Sequence, residues 1–298
     1  MTNIYWPVYK NLEKELLNLT YSIHIDDTQL SVYSSKILDL IIRCAIEIES
    51  ISKELYLKEG GTKQGNIKYD ETAIKLLNKK WSLDKKLVII SSTNCFQTNR
   101  ILIPFEKNEP RENGKLTFKW NLGYQAIKHN RRDNLPFGNL ENLFSILSAL
   151  FLLNIYFKKD QFKLGEDSKG NNFSHNLDSE IFSIKVHPSG GFNQYFDISK
   201  NKDFEECSYF VWLEEYHEKK LKEFLHNANQ QFFDLVKTRK NFNELGLDSD
   251  NKSLIFNTKI EKFLGSEDYM KLINISFRGI PEVMNNSRYV AKINTNEI

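Results

Sequence analysis

Cysteine is scarce in this chain of 298 residues, and the three present, Cys44, Cys95 and Cys207, stand far apart with no C-x-x-C pair. That spacing speaks against a disulfide framework or a zinc knuckle, so reduced thiols are expected. An excess of one charge is missing too. With 41 Lys+Arg against 39 Asp+Glu the formal net charge is +2, so any basic surface has to be local. Neither G-x-x-x-x-G-K-[ST] nor G-x-G-x-x-G occurs, which removes the glycine loops that cradle phosphates. H-E-x-x-H, G-x-S-x-G and a Cys/His nucleophile signature are absent as well, leaving no support for zinc or for serine or cysteine hydrolase chemistry. The histidines, His24, His129, His175, His187, His217 and His226, are scattered. No metal and no cofactor are expected. The N-terminal stretch lacks a basic start followed by a long apolar core, so no secretory signal is expected. The one membrane-like stretch, Leu140 to Phe157, is interrupted by Glu141, Asn142, Ser145, Ser148 and Asn154. A buried helix in a cytoplasmic protein is expected there, with no membrane partner.

What is present is the composition of a folded protein, 40% hydrophobic, 13% aromatic and 27% charged, in a length that suits one large domain or two ordinary ones. Helical spacing is expected over Tyr9–Leu19, and strand alternation over Tyr21–Ile25. Asp26, Asp27 and Thr28 supply capping groups before the next helix. That helix, about Leu30 to Leu57, carries the clearest period, with Ile37, Ile41, Cys44, Ile48, Ile51 and Leu55 on one stripe. Lys36, Arg43, Glu47 and Glu54 fall on another arc. They read as solvated i,i+4 ion pairs, or Arg43 and Glu47 line a polar groove against a second helix. Gly60 and Gly61 stop the helix.

A helix is expected over Glu71–Lys80, short strands over Lys86–Ser91, Arg100–Phe105 and Lys115–Trp120, and a polar loop over Asn108–Gly114. Pro104 marks the second strand as an edge or as ending there. Leu122, Ala126 and Ile127 are compatible with a helix before the turn that contains Pro136 and Gly138, and from Asn139 the chain is apolar on almost every side. Asp160–Asn176 is polar and glycine-bearing, and reads as a linker or long loop between halves. Beyond it come a strand over Ile181–Val186, a turn at Ser189-Gly190-Gly191, a long helix over Trp212–Lys237 and, in the tail from Ser253 to Ile293, three β-like stretches, S-L-I-F-N-T-K-I, Y-M-K-L-I-N-I-S-F and R-Y-V-A-K-I-N. The expected organisation is a helical domain over 1–160 with a β insertion near 86–120, then an α+β domain over 161–298. The fold class is α+β, mainly α, with a helical bundle.

The chemistry-bearing stretch is W-N-L-G-Y-Q-A-I-K-H-N-R-R, Trp120 to Arg132, where Lys128, His129, Asn130, Arg131 and Arg132 stand together before the apolar helix. An imidazole among cations can serve as general acid or base in metal-free phosphodiester cleavage, with the cations holding the phosphate. RNA suits that chemistry because its 2′-hydroxyl is an internal nucleophile. The same string also suits a solvated helix end whose cations face the negative pole of the helix.

Two stretches together, V-Y-S-S-K-I-L-D-L-I-I-R-C-A-I-E-I-E-S-I-S-K-E-L-Y over residues 32–56 and W-N-L-G-Y-Q-A-I-K-H-N-R over 120–131, resemble the HEPN superfamily, in particular uncharacterised bacterial HEPN-like proteins. The resemblance covers roughly residues 30–158. It implies a helical bundle, a homodimer, and a metal-independent endoribonuclease or RNA-binding component of a bacterial defence or toxin-type system, with a protein partner from the same operon. On it, His129 is the acid/base, Arg131, Arg43 and Glu47 complete the catalytic set, and Lys128, Asn130, Arg132 and Tyr124 bind substrate. The family's usual arginine four to six residues before the histidine is replaced here by Gln125, Tyr124 and Gly123, so Arg131 or Arg43 has to stand in for it. The alternative is a non-catalytic dimerisation or partner-docking module.

Overall fold

The stretch Leu140–Lys158 has no polar face, and a helix of that kind is stable in water only when other elements cover it on every side. A computed structural model of the chain, describing residues 3–63, 65–90, 96, 98–110, 114–189, 202–240, 242 and 258–296, shows how it is covered. In chain order the helices and strands are α1 (Tyr5–Leu19), α2 (Ser35–Lys58), α3 (Ile74–Trp81), β1 (Val88–Ile90), β2 (Arg100–Leu102), β3 (Lys107–Pro110), β4 (Leu116–Phe118), α4 (Lys119–His129), α5 (Leu140–Lys158), β5 (Phe162–Gly165), β6 (Phe182–Ile184) and β7 (Val186–His187). They continue with α6 (Lys202–Glu206), β8 (Tyr209–Leu213), α7 (Glu215–Lys237), α8 (Thr258–Leu264), α9 (Ser266–Ser276), α10 (Ile280–Met284) and β9 (Tyr289–Ile293). The fold is α+β, mainly α.

The chain divides into two units, one of residues 1–162, 169–211 and 291–298, the other of 163–168 and 212–290. Residues 169–211 and 291–298, expected in the C-terminal domain, therefore group with the helical part.

In the first unit α5 is the centre. Sixteen of its residues, from Leu140 to Tyr156, are buried, and each fully buried Leu, Ile or Phe contributes about 1.5–3 kcal/mol by leaving water. It is the one helix among the described residues long and apolar enough to cross a membrane, and 89% of that stretch is buried inside the protein. Helix α2 runs parallel to it. The two begin together, where Ser34 N–H donates to the Gly138 carbonyl, and end together, where Lys159 reaches Glu59 at 2.6 Å. A Cβ at Gly138 would stand 2.8 Å from the Leu38 Cβ, so this entry to α5 needs glycine. Helix α1 lies antiparallel to α2, with Lys36 on Glu15 at 2.7 Å and the Tyr5 hydroxyl donating to Glu54 at 2.8 Å.

Strand β1 is the middle of a three-stranded antiparallel sheet in the order β2-β1-β6, with Val88 opposite both Leu102 and Ile184. Strand β2 is thus an edge and ends before Pro104, as proline requires. Strands β3 and β4 form a separate hairpin, and β7 pairs in parallel with β8, Val186 opposite Tyr209. In the second unit α7 to α9 close on a core of Phe232, Phe233, Val236, Phe242, Ile260, Tyr269 and Leu272.

Four expectations are corrected. Residues 21–25 form turns instead of a strand, because the alternation is too short to own a buried face and Tyr21 is 93% exposed. The polar loop expected over 108–114 begins as strand β3, paired with β4. Trp212 and Leu213 belong to β8, all five residues of which are buried, so the long helix begins only at Glu215. Residues 266–276 form helix α9, the β-like side chains being placed by packing on α7 and not by local propensity. Cys95 and the turn at Gly190-Gly191 lie outside the described residues, as does most of the first of the three tail stretches.

Candidate nucleic-acid interface

The position of α4 is set by aromatic and polar anchors at its start. Trp120 is fully buried, donates from Nε1 to the Pro104 carbonyl at 2.8 Å, and stacks on Phe118 with ring centroids 5.4 Å apart. Asn121, also buried, donates to Thr117 Oγ1 at 3.0 Å and accepts the Tyr69 hydroxyl at 2.6 Å. Gly123 then presses the helix on α5. A Cβ there would meet Asn142 Nδ2 at 2.8 Å, an amide held in place by its bond to the Phe137 carbonyl.

With the first half of α4 anchored, its last turn points outward. Lys128, His129, Asn130, Arg131 and Arg132 are all exposed. Asn134 closes the helix end by donating to the Ala126 and Asn130 carbonyls at 3.1 and 2.9 Å, and Asn130 donates to Asp133 at 2.7 Å. Cations are favoured here because the free carbonyls make the C-terminal pole of a helix negative.

Of the residues singled out from sequence, Arg131 reaches α2, where its Nη2 lies 3.2 Å from Asp39 Oδ1. Arg43 pairs with Glu47 at 2.9 Å. Asp39, Arg43 and Glu47 follow one another at four-residue steps on α2, so Arg131 is brought within about one helical turn, ~6 Å of rise, of Arg43. Tyr124 is buried, with the Lys128 ammonium 5.7 Å from its ring centroid. His129 makes no hydrogen bond among the described residues, and Arg132 likewise stands free of ion pairs there. Three cavities of about 280, 320 and 390 Å³ in this unit are all lined by other residues.

On the charged arc of α2 the ion-pair reading holds for Arg43 and Glu47, while Lys36 and Glu54 engage α1 through Glu15 and Tyr5.

Sequence reasoning missed the cluster behind the helix end. Tyr69 opens a π-turn over Tyr69–Ala73, a rare geometry that often accompanies function. Its hydroxyl binds Asn121 and receives a bond from Gln125 at 3.4 Å, and burial pushes the phenol well above its ordinary range. Asn121 and Gln125 stand at i,i+4 within the motif and were open to notice. Tyr69 is far upstream and gave no signal.

Chemically the arrangement is a strip of exposed cations on a rigid support. It can contact phosphates. General acid/base work by His129 would need an oriented partner within about 2.6–3.2 Å, and one chain supplies none among its described residues. No three His, Cys, Asp or Glu side chains converge as a metal set among those residues. No family model, no curated protein and no solved structure matches the chain.

Proposed function

We propose that the chain is an RNA-binding component of a bacterial defence or toxin-type system, working in the manner of HEPN-like proteins. Lys128, Arg131, Arg132 and Arg43 contact phosphates, and Asn130 and His129 lie against the ribose. The observation that carries this reading is the exposure of Lys128 through Arg132 on a helix anchored by Trp120, Asn121 and Gly123. Cleavage as a metal-independent endoribonuclease would need a second copy of the chain to bring Arg43 or Arg131 against His129. The test is RNA cleavage in EDTA by wild type and by His129→Ala. Cleavage lost only in the variant makes the protein a nuclease, and equal cleavage removes His129 from that role. Binding without cleavage leaves an RNA-binding component, and absence of both removes RNA altogether.

A second reading, a non-catalytic docking module, draws on the apolar side chains next to this strip. Tyr33, Leu135 and Phe137 are 52%, 39% and 37% exposed around the entry to α5. Loss of partner association on substituting them, with RNA binding intact, would favour that reading.

A further inference from the structure

Beside the exposed cations, the turn that leads into α5 leaves a row of apolar side chains in water. Leu135, Pro136 and Phe137 are all exposed. The turn itself is pinned. The Asn134 carbonyl accepts from Phe137 N–H at 3.1 Å and the Leu135 carbonyl from Gly138 N–H at 2.9 Å, while the Asn139 and Asn142 amides donate to the Pro136 and Phe137 carbonyls, each at 2.9 Å. A second ring stands next to it. Tyr33 forms an antiparallel bridge with Asn139, two residues from Phe137, and is exposed as well. Neither ring stacks on another aromatic among the described residues. Aromatic surface held on so fixed a backbone loses little freedom when something covers it.

Its neighbours indicate what covers it. Arg131 and Arg132 precede the turn by a few residues, and neither Lys128 nor Arg132 has an ion pair among the described residues. Arg131 spends one of its five donors on Asp39 at 3.2 Å, and a pair exposed on both sides is worth little and readily displaced. Rings alone would fit the apolar centre of a protein interface. Rings set among cations fit a chain that carries flat apolar faces on a negative backbone, which is single-stranded nucleic acid. A duplex presents the same phosphates but keeps its bases stacked inside.

Resting on the RNA-binding reading of this site, we propose that Tyr33 and Phe137 form a base-stacking platform. Unpaired RNA bases lie on the two rings, and the flanking phosphates lie on Lys128, Arg131 and Arg132. The surface thereby selects unpaired over double-helical RNA.

The experiment is fluorescence anisotropy of the full chain with an unstructured single-stranded RNA and with the duplex of that strand and its complement. Wild type should bind the single strand more tightly. Tyr33→Ala and Phe137→Ala should each lose about fivefold or more in single-strand affinity, with the salt dependence unchanged because no phosphate contact is removed. Tyr33→Phe and Phe137→Tyr, which keep a ring, should bind as wild type does. Should Phe137→Ala fail to fold, Tyr33→Ala decides alone. Undiminished single-strand binding in the folded alanine variants, or duplex bound as tightly as single strand, overturns the platform and leaves the cationic strip standing. Alanine variants that keep RNA binding and lose association with a protein partner assign the rings to docking and overturn it too. Wild type that binds neither RNA removes the RNA-binding reading and the platform with it.

Discussion

Two cationic regions of the first unit differ in what their charges meet. Around α6, Lys85 pairs with Glu205 at 2.5 Å and Lys185 with Glu206 and Asp203 at 2.6 and 3.2 Å. Lys86 between them is fully buried, its Nζ donating to the Glu205 carbonyl at 2.9 Å. That ammonium closes the C-terminal end of a short helix, and the Phe204 and Cys207 carbonyls are closed by the Asn294 amide. At the end of α4, Lys128, His129 and Arg132 are left to solvent and Arg131 holds one exposed carboxylate. Both regions set cations at the negative end of a helix, but only the second keeps them available. Burial commits a charge to the fold, and exposure on an anchored helix leaves it for a ligand.

The buried side is sharpened most by Glu13, whose carboxylate is sequestered in the same unit. One oxygen accepts from the Tyr9 hydroxyl at 2.8 Å, from the Ser179 hydroxyl, and from the Glu180 and Ile181 amides at 3.0 and 3.3 Å, while the other holds Lys10 at 2.5 Å. Glu13→Ala strands these donors and should cost about 3–5 kcal/mol. A urea midpoint within error of wild type would show that the carboxylate is dispensable.

Lys86 makes the next largest difference, through pH. Burial lowers its ammonium to about 7, whereas an unfolded lysine titrates near ~10.4. Between those values the unfolded chain binds the extra proton, so native stability rises with pH there. The contribution is least favourable below 7. Relative to Lys86→Met, wild type should gain up to about 1.4 kcal/mol per pH unit from pH 7 to 9. A difference that stays flat across urea titrations at these pH values would contradict this.

Gly123→Ala tests the anchor of the exposed region. The added Cβ drives into Asn142, and a loss of about 1–3 kcal/mol is expected, together with weaker RNA binding as the end of α4 shifts. Arg131→Ala stands last. Its pair with Asp39 is exposed on both sides, so thermal denaturation should move by no more than about 0.5 kcal/mol. A larger loss would place Arg131 with the buried group and erase the contrast.

The sequence was most readable where a period is long and unbroken. The stripe from Ile37 to Leu55 and the apolar run after Asn139 became α2 and α5 within a few residues, because burial follows a 3.6 period directly. It was least readable where partners are far apart in the chain. Residues 269–277 look β-like alone and, up to Ser276, are helical against α7. Trp212 and Leu213 look like the start of a helix and lie in a buried strand. The candidate interface showed the same division. Its contiguous cations were plain to see, as was their exposure at a helix end. The carboxylate Asp39 that receives Arg131 and the Tyr69 hydroxyl behind Asn121 are tertiary neighbours that no local pattern encodes. The cavity of about 280 Å³ is another such case, since its walls come from four separated segments, at Leu30, Arg100–Asn108, Lys119 and Glu141–Ser145.

The most direct test of the central claim is RNA affinity measured by fluorescence anisotropy over a salt series, for wild type and for Lys128→Ala/Arg131→Ala/Arg132→Ala. The account predicts a folded variant whose affinity falls sharply and whose log–log salt slope is shallower by about two to three phosphate contacts, at ~0.7 per contact on single strands. An unchanged affinity and slope would contradict it and return the end of α4 to an ordinary solvated helix terminus.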